Sequence, residues 1–470
     1  MGVKCHVPVR LWIVVMVFLT TYSNYLTRVN IPMSIVSMRG GGANLKTKEV
    51  AQCLQDESSN KTTTNKTTAL PDYGPRFDWS ETVQGHILGS YFWGYCVGSL
   101  PGGVLADVLG SYKVIFWTCL LSAILNSLSV YAAHVHYALL MTCRFLIGLL
   151  AGPVYPAVQV LIAKWAPPAE KGKFVAGMMG NTLSTCITFP LVGAVTAAWG
   201  WDWGFHVLSI QILVFCVIFF FVASDTPDSH KFISQEEKDF IREAQGASVS
   251  KKKMQPPYLQ IMKSVPFWIL NILHFGNLYG LYVQITMVPK FMTQVIGFDL
   301  KGAGGLSALP SLARLFSGLG IGALGDYLKR KQVVSNLFIR KFFVLFSHII
   351  PGLLMMALAL IGCNSIMVIV LLVMSMAVNG AAVLTNLQNS QDLSPNFAGT
   401  IFGIISFCGG TAGFIVPPVT ALFTGDTNGT TTEWGYTFII GGGIYCLTGI
   451  IFIIFGSVKE QSWNKKGDEE

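Results

Sequence analysis

Twelve apolar runs divide this chain, separated by polar stretches that are mostly short. They fall near 11–37, 82–105, 113–134, 137–161, 174–198, 203–224, 266–290, 302–324, 341–362, 365–388, 398–423 and 434–456. A helix of about 20 apolar residues crosses a hydrocarbon core about 30 Å thick. The pattern therefore predicts an all-α membrane protein of twelve transmembrane helices. The gap at 225–265 separates a bundle over 1–224 from a second over 266–456, and 457–470 is a tail. That linker holds Lys251-Lys252-Lys253 and Ser234-Gln235-Glu236-Glu237-Lys238, which reads as the capping-box start of a solvated helix.

Two short stretches repeat each other across the linker. Gly103-Val104-Leu105-Ala106-Asp107, followed by Gly110 and Lys113, returns 219 residues later as Gly322-Ala323-Leu324-Gly325-Asp326, followed by Lys329, Arg330 and Lys331. Each closes an apolar run. The repeat predicts two pseudo-symmetric six-helix bundles, the arrangement that alternating access uses. Asp107 and Asp326 are expected to hold a cytosolic gate through neighbouring helix ends and basic loops.

Composition agrees with a membrane protein. Of 470 residues 52% are hydrophobic and 12% charged, against about 25% charged in soluble domains. Lysine and arginine number 21 in loops on the side of the N-terminus and 8 on the other, so both tails and the linker are expected in the cytosol. The sequons at Asn60, Asn65 and Asn428 fall on the far side, two of them in an outer loop over 38–81, where glycosylation occurs. The net charge of +8 is absorbed by this bias and scattered among loops, which argues against a nucleic-acid partner. Most of the ten cysteines lie within spans, and only Cys53 lies in the large outer loop. No CxxC or Cys/His cluster occurs, so neither a metal site nor a disulfide framework is expected. The first run lacks a small-residue cleavage site and is expected to be retained.

Three arginines remain inside the spans: Arg28, Arg144 and Arg314. An arginine at the bilayer centre costs about 2.5–3.5 kcal/mol on insertion scales. Arg28 and Arg144 lie roughly 15 and 10 Å below the outer surface, at 1.5 Å per residue; Arg314 is mid-span in the other half. The acids nearby sit at helix ends, Asp107, Asp326 and Asp392 inside, Asp202 and Glu433 outside. Buried guanidinium groups without carboxylate mates point to an anion arriving from solution, which a planar fork binds through paired hydrogen bonds. The alternative is that each arginine reaches headgroups or backbone carbonyls. Thr21, Asn24 and Arg28 share one helix face, flanked by Tyr25 and Asn30, and should line a cavity or a helix contact. Asn277, Tyr279 and Tyr282 form a second polar face in the seventh span. Asn181, Thr182, Thr185 and Thr188 in the fifth are weaker, because threonine often bonds to its own helix.

These residues sit in stretches that resemble a known family. The helix count, the paired Gly-x-x-x-Asp motif and the long linker are similar to the major facilitator superfamily. Arg28-Val29-Asn30, Gly89-Ser90-Tyr91-Phe92-Trp93-Gly94-Tyr95 and Pro101-Gly102-Gly103 resemble its anion transporters, which include sialin, vesicular glutamate transporters and type I sodium/phosphate cotransporters. So do Arg144, Gly148, Gly152, Tyr155-Pro156-Ala157, Lys164-Trp165-Ala166-Pro167-Pro168 with Glu170 and Lys171, Leu306-Ser307-Ala308-Leu309-Pro310, and Asn389 with Asp392 and Pro395. The likeness runs from about Arg10 to Trp463, and it implies that Arg28 and Arg144 contact the anion. Proton-coupled members carry glutamates after the fourth-span arginine, where this chain has Ile147 and Ala151. The vesicular glutamate transporters' second-span histidine is Leu88 here. A proton carrier needs a carboxylate or histidine tuned near working pH; His86, His274 and His348 remain within spans, His274 being the candidate.

The sequence reading is thus a twelve-helix secondary transporter, not an enzyme, since no catalytic set stands at workable spacing. Arg28, Arg144 and Asn30 from one half, with Asn277, Tyr282 and Arg314 from the other, are the expected anion site. Gly103, Asp107, Gly110, Gly322 and Asp326 form the gating motif. The expected activity is symport of inorganic phosphate or a small organic anion with sodium as the co-transported cation and no cofactor, by a monomer. Inward movement of an anion against an inside-negative potential costs about 2.3 kcal/mol per charge per 100 mV, which a co-transported cation offsets. The alternatives are a proton-coupled or potential-driven organic anion carrier of a lysosomal or vesicular membrane, and a non-transporting receptor or scaffold. The short tail has no acidic dileucine signal, which favours the plasma membrane.

Overall fold

The computed structural model describes residues 8–38, 52–53, 74–167, 170–245, 256–298, 300–331, 334–424 and 429–464. The sequons at Asn60, Asn65 and Asn428 and the Lys251-Lys252-Lys253 run lie outside the described residues. Among the described residues the regular structure is helical. The first half comprises α1 (Val9–Met38), α2 (Glu81–Leu109), α3 (Ser111–Val135), α4 (Tyr137–Ala151, continued by Val154–Trp165), α5 (Gly180–Trp199) and α6 (Trp201–Val222). The second comprises α7 (Val265–Tyr282, continued through a π turn at Val283–Met287), α8 (Leu300–Arg330), α9 (Asn336–Val344, continued by Ile350–Ala357), α10 (Ser365–Asn379, continued by Asn386–Leu393), α11 (Ala398–Thr424) and α12 (Thr431–Phe455).

Ten of these helices are long and apolar enough to cross a membrane. The other two, α2 and α7, carry the polar and glycine-rich faces that meet at the molecular centre, so their lower hydropathy follows from their position. Capping sets several starts: Ser80 accepts from the N–H of Val83, Asn364 from Met367, and Thr430 forms a reciprocal box with Glu433.

Glycine brings backbones together where side chains would hold them apart. Within the first half, Gly94 of α2 lies on the Phe145 carbonyl and Gly148 of α4 on that of Tyr91. Between the halves α2 lies along α11. A Cβ on Gly103 would stand 2.6 Å from the carbonyl carbon of Gly399. Gly322 of α8 correspondingly faces Val383 and Ala176, its would-be Cβ 3.6 and 3.8 Å away. Each repeated motif therefore touches the opposite half through its first glycine. Beside this seam Gln391 of α10 donates to Gln159 of α4 at 2.5 Å, a second contact between the halves.

Gly110, at φ +92°, turns the chain from α2 into α3. There Asp225 accepts from the N–H of Tyr112 at 3.4 Å and from Lys164 Nζ at 2.7 Å. Asp107 is exposed and raises the Tyr258 phenol beyond what its burial does. The side chain of Asp326 lies outside the described residues.

Two expectations need correction. The linker helix, Gln235–Gln245, is not simply solvated. Ser234 caps it by accepting from the N–H of Glu237. The Glu237 carboxylate instead reaches α1, accepting from the N–H groups of Val9 and Arg10 at 3.0 Å each, where an acid favours the helix dipole. Arg10 also donates to Glu170 at 2.9 Å. Burial raises the Glu170 carboxyl, but Arg10 and Lys173 outweigh it and hold it below the usual range.

The second correction is a disulfide, Cys53–Cys363, across 310 residues of sequence. Its half-cystines sit in the loop after α1 and in the turn between α9 and α10, both on the side that the charge count assigns to the outside, where disulfides persist. Gln52 beside it accepts from the N–H of Thr431 at 2.8 Å.

At the end of the second half that the charge count assigns to the cytosol, Arg340 is fully buried. It donates to Asp392 at 2.8 Å and to the Leu384 carbonyl at 2.6 Å. Asp392→Ala is expected to destabilise the protein by about 3–5 kcal/mol, because it strands a buried cation. A lowered thermal-unfolding midpoint in detergent, unlike that of the exposed Asp228→Ala control, checks it.

Candidate functional site

A cavity of about 40 Å³ lies between the halves, lined among others by Tyr25, Arg28, Tyr95, Tyr155, His274, Asn277, Tyr282, Arg314, Asn386 and Ser406. None of its lining residues is acidic. Its volume holds about three waters at roughly 15 Å³ each, so the central chamber is small.

Arg28 enters from α1 and is 5% exposed. Its Nε donates to the Tyr91 hydroxyl at 3.2 Å and its Nη1 to the Tyr282 hydroxyl at 3.1 Å, while Nη2 has no partner. Tyr95, Tyr25, Tyr91, Phe92 and Tyr282 surround the guanidinium, with ring centroids 4.4 to 5.7 Å from its carbon. This aromatic cage stabilises the cation by attraction to ring faces, without the negative charge that would neutralise it.

Arg314 enters from α8 in the other half. Its Nε donates to Asn379 Oδ1 at 2.9 Å and its Nη1 to Thr182 Oγ1 of α5 at 2.8 Å. The Arg28–Tyr282 and Arg314–Thr182 bonds both join the two halves at the cavity. Besides Arg28, three further polar atoms on residues lining the cavity are buried without a partner, Asn277 Nδ2 and the hydroxyls of Tyr155 and Ser406; the Tyr445 hydroxyl, in the second-half core away from the lining, is also unpaired. The first three can donate, and leaving a buried donor unmet costs about 1–3 kcal/mol.

Arg144 does not line this cavity. Its Nη1 donates to the Thr27 carbonyl at 2.6 Å, and its carbon lies 5.0 Å from the Tyr91 ring. Tyr91 is therefore held between two guanidinium groups, one serving the chamber and one anchoring α1 to α4. Asn30 also turns away: it accepts from Ser34 at 3.0 Å, and its Oδ1 approaches Gly204 of α6. Thr21 donates toward the Gly177 carbonyl at 3.4 Å as well as to Phe18 of its own helix, and Asn24 to the Ala151 carbonyl of α4 at 3.3 Å, so that stripe is a helix contact. Of the expected site, Arg28, Tyr282, Asn277 and Arg314 are brought together and Arg144 and Asn30 are not.

His274 joins the lining, within 2.9 Å of Asn386 through Nδ1. His348 is tied to the Leu273 carbonyl and Ser347, and His86 is exposed. The aromatic walls Tyr95 and Tyr155 stood in the sequence only as family markers; Asn386 and Ser406 carried no sequence signal. Among the described residues no group of three or more His, Cys, Asp or Glu is placed to hold a metal ion. A chamber with two cations, surplus donors and no acid can take up an oxyanion.

The chain is 28% identical over 451 residues to human sialin, covering 96% of this chain and 89% of that protein. It is 30% identical over 469 residues to a putative inorganic phosphate cotransporter of Drosophila melanogaster, covering 98% and 87%. Its fold matches a solved D-xylose-proton symporter with a TM-score of 0.65 at 14% identity, covering 96% of this chain and 99% of that one. These similar proteins are carriers rather than enzymes, and residues 13–417 match the model of one family. With its two glycine-seamed bundles and a chamber between them, the chain belongs to the Major Facilitator Superfamily.

Proposed function

We propose that the protein is a secondary transporter of small oxyanions, inorganic phosphate or a small carboxylate, moved by alternating access together with sodium. One observation carries the anion: guanidinium groups from both halves face a chamber that no acid lines, beside donors without partners. An anion there accepts from Arg28 Nη2, Asn277, Tyr155 and Ser406. It also competes for the bonds that Arg28 and Arg314 make across the seam, so binding and rocking are linked. Sodium is favoured because phosphate must be driven against the membrane potential and the chain lacks the proton-carrying glutamates at Ile147 and Ala151. The single chain contains the whole chamber, which supports a monomer, and the charge bias supports cytosolic termini at the plasma membrane.

His274 in the lining favours one other reading, a proton-coupled organic anion carrier of an organelle membrane. Uptake of radiolabelled phosphate into proteoliposomes, with sodium and pH varied separately, decides between them. Replacing sodium by choline is expected to lower uptake about tenfold, one decade in coupling. Acid-stimulated, sodium-independent flux that is lost in His274→Gln would establish the alternative. No flux with any anion would indicate a receptor.

A further inference from the structure

We infer that a single sodium ion binds between α7, α8 and α10, in a second cavity beside the anion chamber. This rests on the sodium half of the function proposed above and gives it a location. The cavity measures about 10 Å³, about the space one water-sized particle needs. Gln284, Ser307 and Ser311 supply its polar lining, against an apolar wall that includes Phe189, Leu372 and Met376. The three polar residues are 6%, 5% and 1% exposed.

The hydrogen bonds fix which end of Gln284 faces inward. Ser375 donates its proton to the Pro351 carbonyl at 3.3 Å, so its oxygen must accept from Gln284 Nε2 at 3.2 Å. Gln284 Oε1 is thereby left as the free end, buried without a donor, and Ser307 Oγ likewise has no partner. A hydroxyl can turn its hydrogen away and present a lone pair. The backbone is irregular at the same place. Gln284 lies in the π turn Val283–Met287, and Pro310 in α8 cannot donate to the carbonyl of Leu306. Neutral amide, hydroxyl and carbonyl oxygens at a break in a membrane helix are the ligands by which carriers coordinate sodium.

The arrangement also couples the two sites. Gln284 stands two residues beyond Tyr282, the hydroxyl that Arg28 engages at 3.1 Å. No acid lines the cation cavity, so a bound cation is opposed by the Arg28 charge until an anion neutralises it. Each ligand therefore strengthens the other, by the same factor in both directions.

The test is binding of radiolabelled sodium to the full-length protein in nanodiscs, balanced with choline, with and without inorganic phosphate. Saturable binding is expected, tightened about tenfold by phosphate, and weakened about tenfold in Gln284→Leu and Ser307→Ala. Gln284→Glu, which keeps an inward oxygen, is expected to retain it and controls for folding. Phosphate binding in sodium-free buffer should be unchanged in all three variants. Wild-type sodium binding in both Gln284→Leu and Ser307→Ala would overturn the location and leave a cavity that holds water. If sodium-driven uptake persists in those variants, only this site fails. If the wild type binds no sodium and its uptake ignores sodium, the coupling reading falls with it.

Discussion

Arg28→Ala is expected to abolish saturable anion uptake. The variant removes a chamber guanidinium whose Nη2 is buried without a partner, together with the two bonds to Tyr91 and Tyr282. Two hydrogen bonds to a charged acceptor are worth about 3–6 kcal/mol at 1.5–3 each, or roughly two to four decades in affinity. The aromatic cage should survive, because its rings pack on each other: Phe92 against Tyr282 at 4.8 Å, Tyr91 against Tyr95 at 6.3 Å. Arg28→Lys should be intermediate, since an ammonium keeps the charge but not the fork. The measurement is anion affinity by direct binding beside uptake. Wild-type affinity in the alanine variant would remove the basis for the anion site.

Gly103→Val is expected to stop transport with binding preserved. A Cβ at this position would meet Gly399 and Thr400 backbone at 2.6–2.8 Å, in the first turn of α11, and helix backbone cannot step aside as a flexible side chain does. The seam between α2 and α11 would then be held apart at the end that the charge count assigns to the cytosol. The chamber residues, more than two helical turns away along α2 from Tyr95 onward, would keep their donors. Accessibility of a cysteine placed at Gln391 to a membrane-impermeant thiol reagent from the cytosolic side should rise in the variant. Normal turnover in Gly103→Val would show that this contact is not part of the closing surface.

Hydropathy and charge made the bundles legible because membrane helices must satisfy every backbone group within themselves and hide their polar faces. The repeated glycine motif carried the two-fold plan for the same reason, since close helix contact leaves a mark in residue size. The chamber was partly legible. Depth along a helix follows from counting residues, so Arg28 and Arg144 could be set near one level, and they do share Tyr91. The direction around the helix axis is set by neighbours: Arg144 looks to the Thr27 carbonyl, and Arg314, which depth alone could not link to Arg28, faces it across the chamber. Asn30 was drawn toward α6 for a similar reason. Glu237 shows another gap. Its capping-box spacing was visible, but its carboxylate serves α1, 228 positions away from Val9. The Cys53–Cys363 pair was legible only as two cysteines on the same side of the membrane; their pairing was not, because a link over 310 residues depends on the whole topology.

That covalent link bears on how cargo enters. One half-cystine belongs to the loop leaving α1 and the other to the α9–α10 turn, so a bond that does not break in oxidising surroundings crosses the rim between the moving bodies. When the bundles tilt apart outside, the short Gln52–Cys53 piece must travel with the second one, fastened there also by Thr431. Any opening of that rim has to take place with the Cys53–Cys363 link still in place across it.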